Sequence, residues 1–62
     1  MPYIEATFFD ERFEDEKFNA EMVRALTDAV SSVLGQGAGD DTTVVLHSVP
    51  PSRWGYGGKS MG

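Results

Sequence analysis

With 62 residues and no cysteine, this chain has few ways to make itself stable. A domain of that size buries only a modest share of its surface and is marginal when alone. Disulfides, a structural metal or association with other chains are the usual remedies. The missing cysteines remove the first and any thiolate metal site. The single histidine, His47, cannot build a zinc site by itself. Burial between copies remains, so the sequence predicts one domain over residues 1–62 that is stable as an oligomer.

Composition excludes several functions. Hydrophobic residues make up 40% of the chain, enough for packing and too many for a disordered tail. The net charge is −5, and the basic residues Arg12, Lys17, Arg24, Arg53 and Lys59 are scattered, which argues against nucleic acid. No apolar run is long enough to span a membrane and nothing resembles a signal peptide. The expectation is a cytoplasmic protein without a membrane or nucleic-acid partner.

The elements follow from periodicity. Tyr3 to Phe9 is aromatic, β-branched and partly alternating, which predicts a strand with Ile4, Ala6 and Phe8 on one face and Tyr3, Glu5, Thr7 and Phe9 on the other. Asp10 to Glu16 carries five carboxylates around Arg12 and reads as a loop leading into a helix. Phe18, Met22, Leu26, Val30 and Val33 recur at three- and four-residue intervals, with Ala25 and Ala29 beside them. This predicts an amphipathic helix from about Asp15 to Leu34, stopped by Gly35. Gly35 to Asp41 reads as a flexible connection and Thr42 to Val49 as a second strand, ended by Pro50 and Pro51. In the remainder Gly55, Gly57 and Gly58 suit a tight hairpin. Strand, helix, strand is a right-handed βαβ unit with parallel strands, and two strands with one helix leave a sheet face for a partner to cover.

Four residues invite chemistry. Pro2 follows the initiator Met1, and its removal would expose a secondary amine. Such an amine, kept neutral by desolvation, can move a proton next to a carbonyl; Pro2 reads equally as a residue that simply starts the strand. Arg12 and Arg53 have the fork geometry to grip a carboxylate, and both also read as solvated ions. Trp54, among glycines, reads as an apolar wall of a ligand site or as a packing anchor. His47, within a strand, reads as structural. The acidic cluster lacks the spacing of a calcium loop.

In their order, these pieces resemble the 4-oxalocrotonate tautomerase family of the tautomerase superfamily. The resemblance rests on Met1-Pro2 leading straight into a strand, then Arg12, the acidic stretch Glu14 to Lys17, the long helix, the second strand and the ending Val49 to Ser60 with its Trp54–Gly58 element. It implies an α/β, βαβ protomer with a short carboxyl-terminal hairpin, assembling as dimers and usually as a hexamer, a trimer of dimers. It implies Pro2 as general base and acid, Arg12 on the substrate carboxylate and Trp54 keeping the site apolar. Substrates would be small 2-hydroxy-dienoates or 2-oxo and enol acids, and neither metal nor organic cofactor is used.

Three departures bear on that expectation. A second arginine of the best-known members is matched here by Thr43, which weakens the case for a diacid substrate; Arg53 could substitute from the hairpin. The connection between helix and second strand is a few residues longer than usual. The family's Ser or Thr helix cap is matched by Phe13. A catalytically silent subunit, or a partner subunit mixed with an active homologue, is the competing expectation, favoured by Thr43 and by any retention of Met1. Dehalogenation or decarboxylation, with Glu5 or Glu11 activating water, is a third.

Overall fold

A computed structural model describes residues 1–62 as a slab of 41 × 27 × 14 Å. Strand β1 (Tyr3–Phe9) is joined through α1 (Phe18–Leu34) and α2 (Gln36–Asp40) to β2 (Thr43–Val49), which lies parallel to it. The register runs from Tyr3 opposite Thr43 to Phe9 opposite Val49. Two short antiparallel strands, β3 (Gly55–Tyr56) and β4 (Lys59–Ser60), close the chain. The βαβ unit and terminal hairpin are those expected from the sequence.

The hairpin depends on two glycines. Gly57 and Gly58 have φ of 60° and 86°, and a two-residue turn with both centres at positive φ matches the right-handed twist of its strands. It is tied back to the body by the Met61 N–H donating to the Trp54 carbonyl at 2.7 Å. The Ser60 hydroxyl adds a bond to the Ser52 carbonyl at 2.9 Å.

The helix begins later than its composition suggests. Asp10–Glu14 is a 3-10 helix rather than a loop, and α1 proper starts at Phe18, not Asp15. Between them Asp15 takes an extended conformation (φ −82°, ψ 116°), and its Oδ1 accepts the Lys17 N–H at 2.9 Å. That is how a capping side chain satisfies a free amide of the first turn. The cap expected to be missing at Phe13 is therefore supplied by Asp15. Phe13 instead packs edge-on against Phe18 (5.1 Å between centroids), and Phe18 packs likewise against Phe8 (5.2 Å). These three rings pin the 3-10 turn and the start of α1 to the sheet.

The connection after α1 also differs from expectation. Gly35, at φ 97°, ends α1, and its N–H still donates to the Ser31 carbonyl at 2.9 Å. Residues Gln36–Asp40 then form a helical turn, where a flexible loop was expected. Two local bonds hold it: Gln36 Nε2 donates to Asp40 Oδ1 at 2.8 Å, and Thr42 Oγ1 to the Ala38 carbonyl at 2.8 Å. Close approach completes it. Gly39, the one buried residue, lies so near Ser31 that a Cβ there would collide with the serine hydroxyl. Thr42 is drawn into this turn, so β2 starts at Thr43.

No hydrophobic side chain is fully buried. Ile4, Ala6 and Phe8 lie half-buried on the helix side of β1, as alternation requires. Val33, expected on the packed stripe of α1, is 80% exposed, and Leu34 is 66% exposed, because nothing in the protomer covers the last turn.

Asp15→Ala is expected to lower the unfolding free energy by about 1 kcal/mol, while Asp15→Asn retains most of the cap. Urea denaturation at one fixed protomer concentration reads the difference.

Candidate functional site

Pro2 precedes β1 and is held by its backbone: the Thr43 N–H donates to its carbonyl at 2.9 Å. The ring lies in an open groove between the start of β1 and the second half of α1, with Ile4, Leu26, Ala29, Val30, Val33 and Leu34. No charged residue lines that groove. With Met1 attached, the proline nitrogen is an amide and has no basic lone pair. The terminal ammonium then belongs to Met1, whose nitrogen lies 3.9 Å from Asp41 Oδ2.

The other three candidates lie at the opposite end of the sheet. β1 has 7 residues. At ~3.3 Å per residue, a strand of that length separates its ends by roughly 20 Å. Arg12 follows the far end, in the 3-10 helix, where it lines a surface groove with Phe8, Phe18 and Met22 and with the carboxylates of Glu11, Glu14 and Asp15. It forms no salt bridge in the protomer. Trp54 packs edge-on against Phe9 at 4.8 Å. Phe9 and Phe8 are successive strand residues, so Trp54 and the Arg12 groove lie on opposite sides of the sheet. Arg53 ends a 3-10 turn begun by Pro51 and is exposed, without an ion-pair partner. A single protomer thus brings together neither Pro2 with an arginine nor Arg12 with Trp54. Thr43 is the candidate position that does lie beside Pro2, opposite Tyr3 in the register.

Sequence reasoning missed a polar cluster on the sheet face turned away from α1. Glu5 joins two neighbours: it accepts the Tyr3 hydroxyl at Oε1 (2.9 Å), and its Oε2 lies 3.2 Å from His47 Nε2. The parallel register supplies the signal that could have found it. Residues paired across the strands point the same way, so Tyr3 and Glu5 share a face with His47, the partner of Thr7. The hydrogen bond to Glu5, aided by desolvation and by the carboxylate's charge, pushes the Tyr3 phenol above its ordinary 10.0. This arrangement also occupies both oxygens of Glu5. Glu11 lies with Arg12, away from Pro2. Neither carboxylate expected to activate water is beside the proline within the protomer.

No helix is long and apolar enough to cross a membrane. Glu5→Gln is expected to bring the Tyr3 phenol down toward its ordinary value, since it removes the anionic acceptor and its charge together. Ultraviolet titration of the phenolate band in a Tyr56→Phe background isolates Tyr3.

Among known proteins, neither a curated sequence nor a solved structure gives a significant match. A family model described as tautomerase enzyme matches residues 2–62, from Pro2 through the hairpin. That match covers almost the whole chain and supports an isomerase activity of the tautomerase type. The chain belongs to the tautomerase family.

Proposed function

We propose that, once Met1 is removed, the secondary amine of Pro2 acts as general base and then general acid in the tautomerisation of a small 2-hydroxy-dienoate or 2-oxo/enol acid. The observation that carries this reading is the position of Pro2. It starts the matched region and its ring lies in a groove lined by apolar side chains. Burial of an amine among such side chains disfavours its charged form, which leaves the lone pair free near neutral pH. In ketonisation the amine takes the 2-hydroxyl proton, and the resulting prolinium returns a proton to carbon. The chemistry proceeds without a cofactor.

The substrate carboxylate falls to Arg12 and Arg53, with Trp54 as an apolar wall. Because these residues lie a strand's length from Pro2 in one chain, the working site joins Pro2 of one protomer to arginine and tryptophan of neighbours. Exposed Val33 and Leu34 and the absence of a buried core support the same association. The assembly is a homo-oligomer, as a hexamer of three dimers. This small, single-domain enzyme would work in the cytoplasm.

A second reading, a catalytically silent subunit paired with an active homologue, is favoured by Thr43. That residue lies next to Pro2 and supplies no cation for a second carboxylate.

Intact mass settles whether the free amine exists, since loss of one methionine is required. Phenylenolpyruvate and 2-hydroxymuconate ketonisation by wild type and Pro2→Ala then tests the base; the variant should lose at least 100-fold in kcat/KM, as removal of a general base typically does. Equal rates would end the proposal. Separately inactive Pro2→Ala and Arg12→Ala chains, unfolded together and reassembled, should recover about a quarter of wild-type activity, because random mixing puts both intact residues in that share of two-chain sites. No recovery would place Pro2 and Arg12 in one chain's site.

A further inference from the structure

We infer that Asp41 is a positioning residue for the terminal amine of Pro2, pairing with its ammonium form and so setting the pH at which the amine becomes a base. The inference rests on the proposed role of Pro2 and adds a residue to it.

The geometry begins with the salt bridge between the Met1 ammonium and Asp41 Oδ2 at 3.9 Å. Asp41 is fixed on both sides. Its own N–H donates to the Ala38 carbonyl at 3.1 Å, closing α2. Two residues later the Thr43 N–H holds the Pro2 carbonyl at 2.9 Å, locking the start of β1 against β2. Removing Met1 withdraws the terminal nitrogen by one residue, a step of at most ~3.8 Å. With the Met1 nitrogen 3.9 Å from Asp41 Oδ2, that step keeps the proline amine in the neighbourhood of the same carboxylate.

No other charge competes at that place. Asp40, next in α2, is engaged by Gln36 Nε2 at 2.8 Å. On β1, Tyr3 and Glu5 are bonded to each other, and Glu5 contacts His47 on the face away from α1. Thr42 and Thr43 at the start of β2 carry no charge. The last turns of α1 present Val30, Val33 and Leu34 to Pro2, while Asp28 and Arg24 line a different groove with Asn19 and Gln36.

Asp41 and the apolar groove therefore act on one amine in opposite directions. Desolvation favours the neutral amine, and the carboxylate favours the ammonium. Activity that needs the free base rises with pH through the amine's midpoint, and Asp41 moves that rise to higher pH. In the Met1–Asp41 pair both side chains are about two-thirds exposed, at 67% and 62%, so solvent screens a charge held at Asp41. The effect expected is about half a pH unit, or roughly threefold in the fraction of free base on the acidic side.

The test uses methionine-processed full-length protein labelled with 13C and 15N at proline, with the Pro2 ring resonances followed by NMR across pH. Asp41→Asn should titrate about half a unit below wild type, Asp41→Glu should restore the wild-type midpoint, and Asp40→Asn should leave it in place. The rise of kcat/KM with pH should move down by the same amount in Asp41→Asn. If that variant does not fold, Asp41→Ser reads the same quantity. An unshifted midpoint in folded Asp41→Asn or Asp41→Ser, or an equal shift in Asp40→Asn, overturns the assignment. The titration needs no turnover, so it stands apart from the base reading. Full activity in Pro2→Ala would end that reading alone, and an unshifted titration beside proline-dependent turnover would end only the role of Asp41.

Discussion

Apolar surface that the protomer cannot cover governs the rest of this structure. Two parallel strands and one long helix form a slab only 14 Å across its thinnest direction, too thin for an interior. The helix covers one sheet face partly, and no hydrophobic side chain is lost fully from solvent. Full burial of a valine or leucine is worth about 1.5–3 kcal/mol. Val33 and Leu34, which are mostly exposed, forgo most of that. With no disulfide to restrain the unfolded chain, contact with further protein surface would supply the missing burial.

Much of the architecture was legible because its signals are local. Alternation in Tyr3–Phe9 and the apolar stripe from Phe18 to Val30 fix a strand and a helix with little help from their surroundings. Gly57 and Gly58 fix a hairpin through backbone conformation alone. What escaped prediction depends on particular contacts of single residues. Gly35, Gly37 and Gly39 read as a loop by propensity, yet Gly39 is helical because a residue without a Cβ can press against Ser31. The helix start moved because Asp15 turns its carboxylate onto a backbone amide, an act that composition does not distinguish from solvation by its four acidic neighbours.

The candidate site was legible as a set of residue types and illegible as a place. Pro2, Arg12, Arg53 and Trp54 could each be singled out by chemistry. Their separation follows from strand direction: the helical crossover brings β2 back parallel to β1, so whatever precedes β1 and whatever follows it lie at opposite ends. No spacing along the sequence reveals this until the strands are drawn side by side. The polar cluster of Tyr3, Glu5 and His47 is a product of the same register. It gives the open sheet face a hydrogen-bonded centre flanked by Phe9 and Trp54 at one end.

These constraints meet at the amino terminus. A proline amine is useful as a base only while its surroundings are dry enough to hold it neutral, and the protomer's groove beside Pro2 is open to water. The side chains that would dry it, Leu26, Val30, Val33 and Leu34, are among those whose burial the fold lacks. Closing the groove with a second chain would stabilise the protomer and lower the basicity of the amine through one and the same loss of water. Asp41, at the solvent edge, opposes the second effect without interfering with the first. On the proposed reading, association would act on chemistry and on stability together, and a substitution that loosens it would weaken both, even at a position remote from the proline.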